Sequence, residues 1–287
     1  MNQINLFIEL IRLKKPIGFM LLFWPCAWGL TLAYDFSSGF YDYFFYLLLF
    51  FLGSVLMRSA GCIVNDILDK EFDKKVFRTK GRPIASDKIS INLAITYVII
   101  LCLSALIVLL NFNFFTIILA LASMPLAFTY PLMKRFTYWP QLFLGITFNY
   151  GLILGWTSIN NEINLVPIIF YIGAIFWTLG YDTIYGFQDI KDDEIIGLKS
   201  TSIKFKRNPY IFLCTSYTIF FTCLLIVGYF MELNKYFFAI MIIVFFQIFI
   251  IQIKKLNFND PLNCYDIFKS NNSLGFIITL SLIIGKI

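Results

Sequence analysis

The 287-residue chain contains no histidine. That removes the commonest general base and the commonest transition-metal ligand. Charge is scarce too: 14% of residues are Asp, Glu, Lys or Arg, where soluble domains carry about a quarter. The six cysteines (Cys26, Cys62, Cys102, Cys214, Cys223, Cys264) form no CxxC pair and lie mostly in apolar runs. They read as small buried hydrophobes rather than a metal site or a disulfide framework. The chain opens with neither a basic flank, short apolar core and small-residue cleavage site nor an Arg/Ser-rich transit sequence. A retained first span in a bacterial inner (cytoplasmic) membrane is therefore expected. The net charge of +6 is modest, and no nucleic-acid partner is expected.

What remains is apolar, 59% hydrophobic and 19% aromatic, the composition of an integral membrane protein embedded in a lipid bilayer. Residues 1–15 read as an amphipathic interfacial helix, with Ile4, Phe7, Ile8 and Ile11 on one side and Arg12, Lys14 and Lys15 near its end. Nine apolar segments of about membrane-spanning length follow, at 17–34, 41–65, 91–110, 114–131, 139–158, 164–186, 210–230, 235–253 and 272–286. Of the 23 Lys and Arg residues, all but Arg58, Lys235 and Lys286 fall in the N-terminal segment or in loops that alternate onto one side. Basic residues concentrate on the cytoplasmic side. The expectation is a single all-α, polytopic domain over 1–287 with nine transmembrane helices and a cytoplasmic N-terminus.

The acids cluster where two of these segments end. The first cluster is Asn65-Asp66-Ile-Leu-Asp69-Lys-Glu-Phe-Asp73, followed by Lys74, Lys75, Arg78, Lys80 and Arg82. Residues three or four apart share a helix face, so Asn65, Asp66, Asp69 and Asp73 form one stripe. Like charges at that spacing repel, and hard divalent cations prefer carboxylate oxygens. The second cluster runs from Tyr181-Asp182-Thr-Ile-Tyr185 through Asp189, Asp192, Asp193 and Glu194 to Lys199. Here Asp182, Tyr185, Asp189 and Asp193 share a face. Two acidic faces at one depth can hold Mg²⁺, which uses a few carboxylates together with phosphate oxygens. Arg78, Lys80, Arg82 and Lys199 are placed to take remaining phosphate oxygens. Carboxylates, metal and cations together describe a diphosphate site. Asp192 and Glu194 also fit solvated neighbours, and Asp87 a loop cap.

Arg58 lies inside the second segment, where a cation is costly unless paired. It either pairs with a cluster aspartate or awaits an anionic substrate group. Tyr130 and Lys134 are four apart and both could face a cavity. Equally, Lys134 and Arg135 could be interfacial anchors beside a Tyr138/Trp139 belt. An ion-coupled transporter would also place acids in a membrane, but on broken helices near the midplane rather than at helix ends beside a basic loop.

At these residues the chain resembles the UbiA superfamily of intramembrane aromatic prenyltransferases. The family motif NDxxDxxxD stands at 65–73 and DxxYxxxDxxDD at 182–193. The resemblance is closer to the 4-hydroxybenzoate polyprenyltransferase branch, through Arg12–Gly29, Met57–Asp66, Arg78–Ile84, Lys134–Gln141 and Gly197–Ile203. It implies a ring of nine helices around a central cavity open to lipid. It also implies Mg²⁺-dependent transfer of a polyprenyl group from polyprenyl diphosphate to 4-hydroxybenzoate, ortho to its hydroxyl, in ubiquinone biosynthesis. In that reading Asp66, Asp69, Asp73, Asp182, Asp189 and Asp193 hold metal. Arg78 and Arg82 assist the diphosphate, Arg58 receives the benzoate carboxylate, and Tyr130 and Lys134 lie beside the allyl carbon and its leaving group. Asn65, Tyr185 and Lys199 complete the expected substrate contacts. A haem, naphthoate or chlorophyllide acceptor is the alternative within the superfamily.

Overall fold

The computed structural model describes residues 3–76 and 79–287; among these there are helices and no β-strand. After α1 (Gln3–Leu10) come α2 (Ile17–Ala33), α3 (Tyr41–Leu68), the one-turn α4 (Lys70–Asp73), α5 (Ile91–Leu109) and α6 (Phe114–Thr129). Then follow the short α7 (Met133–Phe136), α8 (Pro140–Asn160), α9 (Leu165–Gly186), α10 (Ile190–Ile196) and the one-turn α11 (Thr201–Lys204). The chain ends in α12 (Pro209–Phe230), α13 (Lys235–Phe246) and α14 (Pro261–Lys286). Among the described residues, eight helical stretches are long and apolar enough to cross a membrane, counting Phe114–Phe136 (α6 through α7) and Lys235–Lys254 (α13 and its continuation) as one each, and α2 is shorter at 17 residues. The chain is a multi-pass membrane protein; the count of nine is not reached by length.

Helix starts follow ordinary capping chemistry. Ser90, Asn113, Asn164, Asn234 and Asp260 sit in extended backbone, and each side chain accepts a hydrogen bond from an amide in the first turn of the helix that follows. In a membrane every such group needs a partner within the protein.

Two expected boundaries move. The last segment was expected at 272–286, yet α14 begins at Pro261. Its first half carries Asn263, Asp266, Lys269, Asn271 and Asn272, which mask it from a hydropathy reading. The bundle satisfies two of these amides. Trp177 Nε1 donates to Asn271 Oδ1 at 2.7 Å and Trp24 Nε1 to Asn272 Oδ1 at 2.9 Å. Gln252, on a π-helical stretch (Gln247–Lys254) that continues α13, also donates to Asn271 Oδ1 and accepts from the Tyr217 hydroxyl. The N-terminal segment buries Leu6 and Leu10 together with Ile11 of the expected row, while Ile4 of that row is 64% exposed. Leu6, Leu10 and Ile11 pack with Ala60 and Ile63 of α3 and Ala94 of α5. That tertiary contact sets its orientation.

The bundle centre is aromatic. Trp28 stacks on Phe170 and leans on Trp177, which stacks on Phe220, with centroids 4.9 to 5.9 Å apart. Helices α2 and α8 run in backbone contact. A Cβ on Gly29 would fall 1.9 Å from the Leu152 carbonyl oxygen, and one on Gly155 2.3 Å from that of Cys26. Small residues permit such approach where lipid supplies no hydrophobic drive between helices. Helix α8 also packs on α9, α9 on α12 and α14, and α14 returns to α2. This closed packing fixes the ends of α3 and α9, which carry the acidic clusters.

Candidate active site

Both acidic stretches break where a continuous helix was expected. Helix α3 stops at Leu68, Asp69 caps it, and α4 restarts at Lys70. Helix α9 stops at Gly186, and Asp189 leads into α10. Yet Asp69 N–H still bonds Asn65 O and Asp73 N–H bonds Asp69 O, at 2.9 and 2.8 Å, and Asp193 N–H bonds Asp189 O at 2.9 Å. The i to i+4 step therefore survives the first break, whereas across the second the N–H groups of Phe187, Gln188 and Asp189 bond the carbonyls three residues back, those of Ile184, Tyr185 and Gly186.

The two stretches meet at one cavity of about 730 Å³. Asn65, Asp69, Asp73 and Arg82 contribute from the first; Asp182, Tyr185, Asp189, Asp193 and Lys199 from the second; Arg58, Tyr130 and Lys134 from between. Asp66 is not on the wall. It lies buried behind it at 2% exposure, bonded to Arg82 at 3.1 Å and to Arg12 at 2.5 Å. Arg82 also bonds Asp73 at 2.7 Å. Burial pushes the Asp73 carboxyl above its usual range, opposed by Arg82. Asp69 pairs with Lys134 and lies 3.5 Å from Arg135, whose guanidinium donates to the last carbonyl of α3, Leu68 O, at 2.6 Å. Arg78 lies outside the described residues.

Arg58 is different. Among the described residues, the first row's ion pairs are made by Arg12, Arg82, Lys134 and Arg135, and Arg58 is not among them. Its Nε is buried without a hydrogen-bond partner, and its guanidinium lies over the Phe148 ring at 5.3 Å. Gly18 gives it room, since a Cβ there would sit 2.8 Å from that Nε. A buried, unpaired guanidinium donor is expensive; an anionic group brought in by a ligand would satisfy it.

Arg58, Tyr130 and Phe148 also border a second, apolar cavity of about 220 Å³ between α2, α3, α5, α6 and α8. Leu49, Phe50, Met57 and Leu106 line it. Lys199 lines the polar cavity, but its ammonium donates to Phe136 O at 3.1 Å and its N–H to Lys134 O at 2.9 Å. It thus ties the second stretch to the Lys134 turn. Asp87 pairs with Lys70 at 2.5 Å, away from the cavity, and Glu194 pairs with Lys206.

The donor set suits a hard divalent ion. Asp69 Oδ1 is buried with no hydrogen-bond partner, and carboxylates from both rows face one volume. Among the described residues, no group of three or more His, Cys, Asp or Glu side chains is close enough to enclose an ion. Mg²⁺ needs no such cage, because it takes one or two carboxylates and completes its shell with phosphate and water.

Sequence reasoning missed Arg12 and Gln141. Gln141 lines the cavity and accepts from Thr201 N–H at 3.0 Å, fixing the loop after the second row. Neither partner is near in sequence, so spacing gives no signal for either.

A model described as the UbiA prenyltransferase family matches residues 22–277. A Bos taurus protein named "4-hydroxybenzoate polyprenyltransferase, mitochondrial" is 42% identical over 98% of this chain and 75% of its own length. One of that name from Arabidopsis thaliana is 39% identical over 99% of this chain and 70% of its own. These relatives are described as mitochondrial and lend no support to the expected bacterial membrane. Among solved structures, a UbiA homologue from Aeropyrum pernix K1 superposes with a TM-score of 0.76 at 20% identity, over 93% of this chain and 98% of that one. An Archaeoglobus fulgidus homologue bound to DMAPP and Mg²⁺ gives 0.69 at 17% identity, over 96% and 99%. Two acidic rows around one cavity, the fold of the structural neighbours and the family match agree: the chain belongs to the UbiA prenyltransferase family.

Proposed function

We propose that the protein transfers a polyprenyl group from a polyprenyl diphosphate to the ring carbon ortho to the hydroxyl of 4-hydroxybenzoate, a step of ubiquinone biosynthesis, and that it requires Mg²⁺. In this reading residues 1–287 act as one integral membrane domain. The observation that carries the acceptor is Arg58, a buried guanidinium with an unmet donor at the junction of a charged and an apolar cavity. The curated relatives named for this activity support the same acceptor.

The polar cavity takes the diphosphate. Asp69, Asp73, Asp182, Asp189 and Asp193 from its wall, with Asp66 behind, would hold the metal. Mg²⁺, when bound, neutralises the leaving diphosphate as a Lewis acid. Arg82 and Lys134 stand on the same wall and can turn from their carboxylates to phosphate oxygens, Arg as a fork and Lys as a point charge. Arg78 belongs to the same loop and is proposed to assist. Stabilising the developing anion is where rate enhancement is greatest.

The tail lies in the apolar cavity, whose walls α5 and α6 are largely exposed to the surroundings of the bundle. Its allylic carbon then falls near Tyr130. The rings of Tyr130, Phe148 and Tyr185 offer π faces to a cationic allyl group and keep water away from it. Arg58 holds the benzoate carboxylate and so fixes which ring carbon faces the allyl group. The allylic C–O bond breaks, the C–C bond forms, and the ring proton passes to a carboxylate, a diphosphate oxygen or water, since the chain offers no imidazole.

The test is an assay of the purified protein in nanodiscs with a polyprenyl diphosphate and a panel of aromatic acceptors, with Mg²⁺ or with EDTA. Ring-alkylated 4-hydroxybenzoate formed only with the divalent ion is expected. Folded protein that alkylates a naphthoate or haem but not 4-hydroxybenzoate would refute the acceptor.

A further inference from the structure

Helix α1 ends in a turn of an unusual kind. Leu13 N–H bonds Ile8 O at 3.2 Å and Arg12 N–H bonds Glu9 O at 3.1 Å. This is the Schellman pattern, in which the residue at the position of Arg12 adopts left-handed backbone and is usually glycine. Arg12 has φ +55°. A non-glycine residue there is uncommon and mildly strained, and such strain concentrates at functional sites. The turn is held in place because Leu6, Leu10 and Ile11, which lead into Arg12, are buried against α3 and α5. The conformation carries the Arg12 side chain onto the cavity wall, where its Nη2 meets Asp66 Oδ1 at 2.5 Å. The same oxygen accepts from Arg82 at 3.1 Å, and Arg82 is shared with Asp73. Asp66 is thus held by two guanidinium groups before any ligand enters.

We propose that Arg12 is a positioning residue that locks Asp66, so that the first acidic row takes up a divalent ion only together with a diphosphate. The charges support this. Asp66, Asp69 and Asp73 face Arg12, Arg82, Lys134 and Arg135. A divalent ion arriving alone adds positive charge to a row whose carboxylates are already neutralised. An ion arriving with a diphosphate brings compensating charge, and the phosphate oxygens give the guanidinium groups somewhere to go. Coupling of this kind is reciprocal, so the ion strengthens diphosphate binding by the same factor. The inference rests on the diphosphate reading of the cavity.

Equilibrium dialysis of Mn²⁺ against the protein in nanodiscs, with and without inorganic pyrophosphate on both sides, tests it without turnover. Wild type is expected to bind Mn²⁺ at least about tenfold more tightly with pyrophosphate, within the usual range of coupling between sites. Arg12→Gly suits the left-handed backbone, so its helicity and elution should match wild type. It is expected to bind Mn²⁺ alone about tenfold more tightly than wild type and to lose most of the pyrophosphate effect, the size of a typical coupling. Arg12→Asn, also tolerant of that backbone, should behave alike, and Arg12→Lys should fall between. Pyrophosphate coupling as strong in Arg12→Gly and Arg12→Asn as in wild type would overturn the lock alone. Wild type that binds no Mn²⁺ under either condition would overturn both the lock and the diphosphate reading.

Discussion

Replacing Arg58 by alanine should damage recognition of the aromatic acceptor far more than that of the prenyl donor. The guanidinium is buried on α3, its Nε has no hydrogen-bond partner, and it lies where the two cavities join. A hydrogen bond to a charged group contributes about 1.5–3 kcal/mol. At about 1.4 kcal/mol per factor of ten, the KM for 4-hydroxybenzoate should rise about 10- to 150-fold. In the proposed arrangement other cations hold the diphosphate, so its KM should change by less than about threefold. The assay is steady-state alkylation in nanodiscs, varying each substrate at saturation of the other. A neutral acceptor, 4-hydroxybenzamide, completes the cycle. It should be a poor substrate of wild type and should lose little further in the variant, because the charge it lacks is the one Arg58 is proposed to contact. Equal increases in both KM values, or an equal loss for acid and amide, would refute the assignment.

Gly18→Ala should push the same guanidinium aside, because the new Cβ meets Arg58 Nε at 2.8 Å. The KM for 4-hydroxybenzoate should rise by a smaller factor than in Arg58→Ala, and donor KM should stay; an unchanged acceptor KM would contradict the packing. Asp69→Asn should lower kcat at least about 100-fold at saturating substrates, as expected where transition-state charge stabilisation is lost. Circular dichroism should confirm intact helices, and near-wild-type turnover would count against metal at that oxygen. Lys286 donates to the carbonyls of Thr31, Leu32 and Tyr34 at the end of α2. Lys286→Ala should therefore cost about 1–3 kcal/mol, seen as a lower unfolding temperature without change in either KM. Gly155→Val should abolish folded protein, since even one Cβ lands 2.3 Å from Cys26 O; normal yield and elution would refute the backbone contact.

The acidic rows were legible because spacing alone places their members on one face, and the cavity brings the two faces together. Most membrane helices were legible because their polar content is low. The first half of α14 was not, because Asn271 and Asn272 look like loop residues until Trp177, Gln252 and Trp24 are placed beside them. The breaks at Asp69 and Asp189 were also hidden: i to i+4 hydrogen bonds persist across the first, and the second is a single turn of i to i+3 bonds at 187–189 that the spacing of the acids does not signal. In the sequence Arg12 resembles an interfacial cation, because its partner, Asp66, is 54 residues away. The orientation of α1 depended on a pocket formed by Ala60, Ile63 and Ala94, which no local periodicity encodes.

The central claim is that both rows serve one metal–diphosphate head. A structure of the protein with Mn²⁺ and an unreactive prenyl thiodiphosphate, with manganese located by anomalous scattering, tests this most directly. The account predicts manganese inside the cavity, bridging phosphate oxygens to carboxylates of the 66–73 row and of the 182–193 row, with the prenyl tail passing Tyr130. Manganese bound outside that cavity, or a diphosphate seated away from both rows, would contradict it.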